Sequence, residues 1–500
     1  MNTTATLFPD IDQSTLPEGF NSHSISQSIL SLIPPDIAIE YAALPFATDQ
    51  YGRLDILTDN PYIIDTIQIL QLHSGMIVRP HGAPRDIVLQ LIDFFYGSQQ
   101  FEQKTQASNN KQRRFAINLL ETTVVIVNDI IHEAIRLRAS DIHFEPFEKE
   151  MMVRFRIDGV LHEMGMIPRE RIAEVVSRIK ILSNMDIAEK RRAQDGKIRI
   201  NGQGRDVDIR VSTLPTGFGE KAVLRLLDKN SYSVTLDSIG MDEQRLEIFK
   251  KALSMPNGII LFTGPTGSGK STSLYAAINH LKRPDINIST VEDPIEYNIA
   301  GVNQTQVNQY TGMTFANSLR TLLRQDPDVI MVGEMRDSET AEIAIRSSLT
   351  GHLVLSTLHT NDAPSAITRL VDMGIEPYLV SSSLSIIIAQ RLVRKICTHC
   401  SCETTIAQDI RDGYGIPSDL RCYKGLGCSA CGFTGYRGRT GIFEVLPITD
   451  TIRTLINDKA YAAQIKEAAQ REGMITLHEH ALQVLKMGMT SVEEVLREAP

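Results

Sequence analysis

Eight consecutive residues, Gly264 to Ser271, read GPTGSGKS and fit the spacing GxxxxGKS/T of a phosphate-binding loop. Glycines in such a loop let backbone N–H groups turn inward and hold phosphate at the positive end of the following helix. Lys270 is expected to reach the β- and γ-phosphates, and Ser271 to bind Mg²⁺. The residues predicted to contact the nucleotide here are Gly264, Pro265, Thr266, Gly267, Ser268, Gly269, Lys270, Ser271 and Thr272. The alternative is a chance glycine turn before a core helix.

Four acidic residues follow the next two strand-like segments. NISTVEDPIEY ends in Glu292, Asp293 and Glu296, which we predict to orient magnesium and the attacking water. DVIMVGEMRD places Glu334 just past a buried strand, at the edge where α/β sheets bind ligands. We therefore predict that Glu334 polarises the water, although any of these carboxylates could instead be a solvated loop residue.

One departure concerns magnesium. A standard Walker B strand ends in Asp, whereas Gly333 holds that place here and Asp328 lies at the start of the strand. Magnesium is then held mainly through Ser271 and waters. The following strand, HLVLSTL, carries His359 to the same edge, where it could sense the γ-phosphate or serve a purely structural role.

All six cysteines lie between Cys397 and Cys431, which indicates a reduced compartment and a metal site. The pairs CTHC and CSAC offer four thiolates for a tetrahedral Zn²⁺, and a closed set of four ligands predicts a structural site. The predicted ligands are Cys397, Cys400, Cys428 and Cys431. Cys402 could replace Cys400, and Cys422 is spare. A redox pair or plain buried thiols are the alternatives.

Length and composition limit the class of protein. The chain has 500 residues, 42% of them hydrophobic and 22% charged, which predicts a soluble globular protein of several domains. A net charge of −9 argues against a large nucleic-acid-binding surface. The N-terminus lacks the pattern of a secretory signal, and the sequence has no uninterrupted membrane-spanning apolar run. Membrane association would therefore need a partner or a surface helix.

The elements that must position the phosphate loop are a strand and a helix. GIILFT reads as a buried strand that runs into the loop, and KSTSLYAAINHLK as a helix that leaves it. Strand-like DIHFEPF, MMVRFRIDGVLHEM and DVDIRVSTL, with a helix between them, predict an α+β domain upstream. The tail, with YAAQIKEAAQREGM and TSVEEVLREA, predicts a helical cap.

These patterns predict an α/β fold with the following domain organisation. We assign residues 1–25 to a flexible segment, 26–97 to an N-terminal partner-docking domain, 98–114 to a linker, 115–230 to a second α+β domain, 231–240 to a hinge and 241–500 to the nucleotide-binding domain. The last contains a zinc subdomain at 395–435 and the helical cap at 447–500.

From about Ser140 onward the chain resembles the secretion ATPase superfamily that powers type II secretion and type IV pili. GPTGSGKS, TVEDPIEY, RQDPDVIMVGEMRD and TGHLVLSTLHTNDA occur in the order of that family's Walker A, Asp box, Walker B and His box. Its Walker B is atypical in the way Gly333 shows. The resemblance implies a RecA-like core, a PAS-like α+β domain before it, and a hydrolase that uses ATP and Mg²⁺. The tetracysteine element resembles that of type II secretion and pilus-assembly ATPases.

The resemblance also implies roles for several arginines and histidines. Family members form hexamers in which arginines of the preceding domain close over the nucleotide, and the matching residues are Arg210 and Arg225. The motifs that line the site or the subunit interface contain Arg320, Arg324, Arg336, Arg369, His352 and His359. Surface ion pairs are the alternative for the arginines.

Taken together, the motifs predict a hexameric ATPase motor of type II secretion, with type IV pilus assembly as the alternative. The segment LVDMGIEPYLVSSSLSIIIAQRLVRKIC resembles the secretion branch. The resemblance implies a homo-hexamer on the cytoplasmic face of the inner membrane of a Gram-negative bacterium. It also implies binding to the cytoplasmic domain of a platform protein and to acidic lipid.

Two rival functions remain. One is a nucleotide-gated scaffold that scarcely hydrolyses ATP, against which the intact Lys270 and Glu334 argue. The other is a conjugation or DNA-uptake motor, against which the acidic balance and the lack of an aromatic-basic stripe argue.

Overall fold

The computed structural model divides the chain into two units, residues 1–111 and 112–500. It describes residue 17, residues 25–96 without 35–36, 39–40, 50–51, 86, 90 and 93–94, residues 121–228 without 203–204, and residues 234–499. The predicted linker 98–114, residues 231–233 of the predicted hinge, and the predicted segment 1–25 apart from residues 17 and 25 lie outside these ranges.

The first unit contains a three-stranded sheet. Strand β2 (Leu54–Thr58) lies between β1 (Ala43–Thr48), which is antiparallel to it, and β3 (Val78–Gly82), which is parallel to it. Helix α1 (Gln27–Leu30) precedes the sheet. Helix α2 (Ile64–Ser74) connects β2 to β3, because two parallel strands need a crossover between them.

The second unit begins with an antiparallel six-stranded sheet, which we call the middle domain. Its strands are β4 (Asp141–Pro146), β5 (Glu150–Ile157), β6 (Val160–Pro168), β7 (Gln194–Gly202), β8 (Arg205–Thr216) and β9 (Gly219–Asp228), in the spatial order β6-β5-β4-β9-β8-β7. Along β5, buried side chains alternate with partly exposed ones, as expected when one face of a sheet meets a core. Helices α3 (Thr123–Arg136) and α4 (Ile172–Leu182) cover that face.

A seven-stranded sheet forms the ATPase-like core. The strands of this region are β10 (Gly258–Thr263), β11 (Ile288–Glu292), β12 (Asn303–Gln306), β13 (Val329–Val332), β14 (Leu353–Leu358), β15 (Leu384–Ile396), β16 (Ser401–Thr404), β17 (Cys422–Gly425) and β18 (Tyr436–Pro447). The sheet order is β12-β11-β13-β14-β10-β15-β18, and only β18 is antiparallel to its neighbour. Strands β16 and β17 form a separate hairpin.

Both faces of the core sheet are covered. Ile259 and Leu261 of β10 join one apolar cluster, whereas Ile260 and Phe262 join another on the opposite face. This explains why the central strands read as continuous apolar runs rather than alternating ones. The covering helices are α5 (Glu243–Leu253), α6 (Lys270–Leu281), α7 (Phe315–Leu322), α8 (Ser338–Leu349), α9 (Ala363–Asp372) and α10 (Pro377–Ser383).

The remaining helices follow the hairpin region and the last strand. They are α11 (Gln408–Gly413), α12 (Asp450–Asn457), α13 (Ala462–Arg471), α14 (Leu477–Lys486) and α15 (Val492–Glu498). One carboxylate links this tail to the core sheet. Glu444 on β18 is buried and accepts hydrogen bonds from the amides of Ala363 (2.8 Å) and Leu477 (3.4 Å), which begin α9 and α14.

No helix in the described part of the chain is long and apolar enough to cross a membrane.

Candidate active site

The glycine-rich loop lies between β10 and α6, as its spacing predicts. Gly264, Gly267 and Gly269 have φ angles of 144°, 82° and 90°, in the range that side chains avoid. A Cβ atom on Gly264 would lie 2.4 Å from the carbonyl oxygen of Gln390 on β15. The loop therefore needs glycine both for its backbone angles and for its close approach to the neighbouring strand.

Lys270 is the first residue of α6, and only 8% of it is exposed. Its Nζ donates to the carbonyls of Gly264 (2.7 Å) and Pro265 (3.0 Å), so the ammonium lies inside the loop. Burial lowers the pKa of Lys270 to about 8, against the opposing influence of Glu334. The adjacent Ser271 is exposed at the helix N-terminus.

The loop fits a phosphate. Ser268 Oγ is buried and has no hydrogen-bond partner among the described residues, which leaves a donor free inside the loop. Together with Lys270 and the amides at the start of α6, it offers the donors that bind phosphate oxygens. Ser271 and Thr272, both exposed beside the loop, are placed to hold Mg²⁺ and a phosphate oxygen.

Glu334 follows β13 and lies at the carboxyl end of the sheet. Its side chain is 14% exposed. Its Oε1 pairs with Arg336 at 2.5 Å, and its Oε2 contacts Nε2 of His359 at 3.2 Å. The Glu334 carboxylate raises the pKa of Arg336, which strengthens their pairing. The structure thus brings together Glu334, His359 and Arg336, which the sequence placed on two different strands.

Glu292, predicted to orient magnesium and water, is the last residue of β11 and is buried. It is 4% exposed and accepts hydrogen bonds from the Tyr275 hydroxyl, from Thr290 Oγ1 (2.6 Å) and from Gln304 Nε2 (3.0 Å). Burial, and then the Glu292 carboxylate, raise the pKa of Tyr275, so the phenol stays protonated. Glu292 therefore anchors this loop internally, whereas Asp293 is exposed.

Of the two arginines predicted to close over the nucleotide, Arg210 contacts the core. Its guanidinium donates to the carbonyl of Ile295 at 2.6 Å and lies 3.7 Å from Glu296. Arg225 lies opposite Arg210 on the neighbouring strand but pairs with Asp141 of its own domain at 3.0 Å.

The other predicted arginines lie on or just after helices, and His352 lies before a strand. Arg320 pairs with Glu339 at 2.5 Å, and Arg324 donates to the carbonyl of Arg320 at 3.2 Å. Arg369 is exposed on α9. His352 precedes β14 and its Nδ1 contacts a carbonyl near the end of α8 at 2.9 Å.

The four predicted zinc ligands converge. Their sulfur atoms all lie within 4.8 Å of one another, although the two pairs are far apart in sequence. The Cys397–Cys428 and Cys400–Cys431 sulfur distances are 3.8 and 3.9 Å. Four sulfurs at this spacing, with no fifth ligand in the group, fit a closed tetrahedral Zn²⁺ site.

Backbone amides also point at these sulfurs. Gly427 donates to Cys400 at 3.2 Å, and Cys428 and Gly435 donate to Cys431 at 3.2 and 3.3 Å. Burial tends to raise the pKa of Cys431, but hydrogen bonds from the Cys428 and Gly435 amides and the neighbouring thiols outweigh it and the pKa is lowered, whereas burial keeps the pKa of Cys400 and Cys428 raised. Such donors stabilise thiolates, the form that binds zinc.

The two spare cysteines lie outside the four-sulfur group. Cys402 is on β16, and Cys422 is buried near the Leu420 carbonyl and Arg411.

Several residues around the site were not among the predicted ones. Ser273 of α6 donates to the Gln390 side chain at 2.9 Å, which ties the phosphate loop to β15. Thr263 at the end of β10 accepts from the amide of Thr360, next to His359, at 3.0 Å. Only the position of Ser273 just after GPTGSGKS, and that of Thr360 within the His box, could have pointed to these residues.

The family model described as Type II/IV secretion system protein matches residues 119–497. The chain belongs to this family. A second model, the MshEN domain, matches residues 19–102. The secretion-family match covers the whole of the middle domain and the ATPase core, including every site residue described above.

Relatives in this family carry two kinds of name. Type IV pilus assembly ATPase PilB of Myxococcus xanthus is 49% identical over 494 residues, covering 94% of this chain and 87% of the relative. PilB of Thermus thermophilus is 43% identical over 93% of this chain, which spans 54% of that protein. Type II secretion system protein E of Aeromonas hydrophila is 51% identical over 374 residues, 74% of each chain.

Two solved structures share the fold. The pilus retraction motor PilT with bound ADP matches 74% of this chain and 96% of its own, with a TM-score of 0.51 and 29% identity. The ATPase DotB of Yersinia pseudotuberculosis matches 78% of this chain and 97% of its own, with a TM-score of 0.58 and 20% identity, and supports the fold alone. The predicted α/β ATPase fold is confirmed, and the chain is an ATPase.

Proposed function

We propose that this secretion-family ATPase assembles type IV pilus filaments. The observation that carries the choice is coverage: relatives named PilB align with 94% and 93% of the chain, whereas the Aeromonas secretion protein E aligns with 74%. An alignment over more than nine-tenths of the chain takes in residues of the N-terminal unit. A domain outside the ATPase core is where such a motor is expected to recognise its machine.

Type II secretion is the second candidate. The sequence pattern 370–397 favours it, and the Aeromonas secretion protein E is 51% identical over the region it shares with this chain. Because the ATPase core serves both machines, its geometry supports both candidates equally.

The geometry indicates how each side chain would contribute to hydrolysis. Lys270 lies on the carbonyls of its own loop, so an incoming phosphate replaces the contacts at 2.7 and 3.0 Å with stronger ones to charged oxygens. Glu334 orients and polarises the attacking water, and His359 at 3.2 Å keeps its carboxylate in position. Mg²⁺, when bound, supplies charge neutralisation at the β- and γ-phosphates, and Ser271 is the residue that would hold it.

We further propose a homo-hexamer at the cytoplasmic face of the inner membrane of a Gram-negative bacterium. Within the described part of the chain, Arg225 pairs with Asp141 of the middle domain and does not contact the ATPase core. An exposed arginine on the open sheet of the middle domain is available to a neighbouring subunit. The cytoplasmic domain of a platform protein, together with acidic lipid, would hold the ring at the membrane.

A gene-deletion strain of the source bacterium separates the two machines. Pilus assembly predicts that deletion abolishes surface pili and that the wild-type gene restores them, whereas Glu334→Gln does not. Retained pili with loss of extracellular enzymes would transfer the protein to type II secretion.

A purified-protein assay addresses the scaffold and DNA-motor alternatives. ATP turnover is measured for the wild type and Glu334→Gln, alone, with the platform domain plus acidic vesicles, and with single-stranded DNA. Turnover that rises with the platform domain and acidic vesicles, and not with single-stranded DNA, supports the pilus or secretion motor. Equal negligible rates would favour the scaffold, and stimulation by DNA would favour a translocase.

A further inference from the structure

The segment 431–438 begins at a predicted zinc ligand and touches the middle domain at two places. Cys431 supplies one of the four sulfurs, and its Sγ also accepts a hydrogen bond from the amide of Gly435 at 3.3 Å. The carbonyl of Gly435 in turn accepts from the amide of Cys397, another predicted ligand, at 3.0 Å. Hydrogen bonds between Gly435 and two predicted ligands, Cys431 and Cys397, therefore set the path of this segment.

The first contact with the middle domain is at Gly432. This residue has a φ of 59°, and a Cβ atom on it would lie 2.8 Å from Cδ2 of Leu137. Leu137 follows the last residue of α3. The side chain of a middle-domain residue thus rests directly on the backbone beside a zinc ligand.

The second contact is a hydrogen bond to a carboxylate. Asp158, in the turn between β5 and β6, accepts from the amide of Gly438 at 2.8 Å and lies 3.9 Å from the Arg439 guanidinium. Both turns have left-handed backbones, with φ of 48° at Asp158 and 78° at Gly438. Asp158 and Gly159 form the two-residue turn of this hairpin, in which a left-handed Asp followed by glycine is common, so the turn fixes where the carboxylate lies.

The same middle domain carries Arg210, which reaches the loop after β11. Arg210 holds the Ile295 carbonyl at 2.6 Å and lies 3.7 Å from Glu296, within the motif that adjoins the nucleotide site. Within a rigid antiparallel sheet, a rotation allowed at the β5–β6 turn also moves β8 and the guanidinium it carries. The contacts at Gly432 and Gly438 therefore influence the position of the Arg210 guanidinium.

We propose that Asp158 is a positioning residue for Arg210, and that the zinc site acts through it. Zinc fixes segment 431–438, the segment holds the middle domain through Leu137 and Asp158, and the middle domain presents Arg210 to the 295–296 loop. The cysteine cluster then influences the nucleotide site without touching nucleotide. This inference rests on the proposed occupancy of the four cysteines by Zn²⁺.

Hydrogen exchange of the full-length protein tests the proposal directly. In Asp158→Ala, amides of residues 436–439 and also of the distant loop 295–298 should exchange about tenfold faster than in the wild type. Asp158→Asn keeps an oxygen acceptor for the Gly438 amide and should stay near wild type, because the exposed pair with Arg439 contributes little. Asp208→Ala, which removes a carboxylate 3.5 Å from Arg199 within the same sheet, is the matched control and should leave the 295–298 loop unchanged.

Zinc removal provides the second arm. Metal analysis should find one zinc per chain. Stripping it with a chelator should speed exchange at 295–298 in the wild type and have a smaller effect in Asp158→Ala, because the Asp158 contact is already lost there and only the Leu137 contact remains to be released. Faster exchange at 436–439 with no change at 295–298 in Asp158→Ala would overturn the proposal, as would zinc removal without effect there or a chain that contains no zinc. Exchange is measured without nucleotide, so failure of the proposed ATPase motor would appear separately, as absent turnover in the wild type.

Discussion

The nucleotide site and the cysteine site are built on different kinds of scaffold. Lys270, Glu334 and His359 each follow a buried strand of one sheet, and β13, β14 and β10 are neighbours in it. The four cysteines lie in the turns outside a short hairpin: Cys397 and Cys400 precede β16, and Cys428 and Cys431 follow β17. Backbone hydrogen bonds therefore position the first site before any ligand arrives. In the second site, single backbone hydrogen bonds such as that from the Cys397 amide to the Gly435 carbonyl bring the two pairs together, and a bound Zn²⁺ would join their sulfurs.

The comparison also distinguishes what each site does with its charges. In the nucleotide site, the Lys270 ammonium is buried against carbonyls and the Glu334 carboxylate is paired with Arg336. Both charged groups are therefore in place before a charged ligand binds. The cysteine cluster directs amides at its own sulfurs and offers no open position. One site should fail in function when altered while the fold survives, and the other should fail in stability.

The largest expected effect is on turnover. Glu334→Gln removes the carboxylate that polarises water but keeps the side-chain shape, so the ATP hydrolysis rate should fall about 10²–10⁴-fold. The melting temperature should stay within a few degrees of the wild type, because the strand that carries residue 334 is untouched. Steady-state hydrolysis and calorimetry on the same preparations measure both. A variant that loses stability along with activity would break the distinction between the two sites.

Loss of a zinc ligand should have the opposite signature. Cys428→Ser leaves three sulfurs and should destabilise the core by about 4 kcal/mol, which lowers the melting temperature by roughly 10 °C. ATP binding at low temperature should persist, because no cysteine contacts the phosphate loop in the described structure. Cys402→Ser, outside the four-sulfur group, is the control. Zinc loss with an unchanged melting temperature would contradict a structural role.

A smaller effect tests whether Glu292 is an anchor. Tyr275→Phe removes one of the donors to a buried carboxylate and should reduce the free energy of unfolding by about 1–3 kcal/mol. Tyr310→Phe, at a fully exposed tyrosine, should change nothing. Urea unfolding of the full chain measures both. Unchanged stability with weaker Mg–ATP binding would instead support the sequence prediction that Glu292 orients the metal.

The smallest effect concerns the pH dependence of nucleotide binding. Burial depresses the pKa of Lys270 to about 8, so the nucleotide-free side chain loses its positive charge as pH rises through that value. ATP affinity should fall about tenfold between pH 7 and 9 as the protonated fraction declines. Binding should also take up protons above pH 8, because phosphate favours the charged form. Titration calorimetry in two buffers measures this uptake, and Lys270→Arg, which stays charged, should show a flat profile.

Local motifs in the sequence were sufficient to locate both sites. Each predicted site lies in a short segment whose residue types and spacing indicate a possible chemistry. These segments contain the phosphate loop, Glu334, His359 and the cysteine pairs. The order of strands and helices around the loop was predictable because central parallel strands are continuous apolar runs. The α/β class followed from the same signal and is confirmed.

Long-range contacts were not predictable in this way. Strand β15 contains Gln390 and basic residues among its apolar ones, so its 13 residues did not read as a central strand. The anchoring of Glu292 depends on Tyr275 and Gln304, which are distant in sequence and match no spacing rule. The difference between Arg210 and Arg225 likewise depends on which of two facing strands lies nearer the core.

The carboxylate of Glu444 gives the C-terminal fifty residues a role beyond covering the sheet. Burial raises the pKa of this group, and its compensation comes from the first turns of α9 and α14. Helix α9 starts four residues after His359, whereas α14 belongs to the tail. A protein that ended after β18 would keep only one of these two donors, the Ala363 amide of α9. The Glu444 carboxylate, short of one hydrogen bond, would then lie close to the loop that carries His359. Premature termination at this point would thus act as a catalytic lesion as well as a folding one.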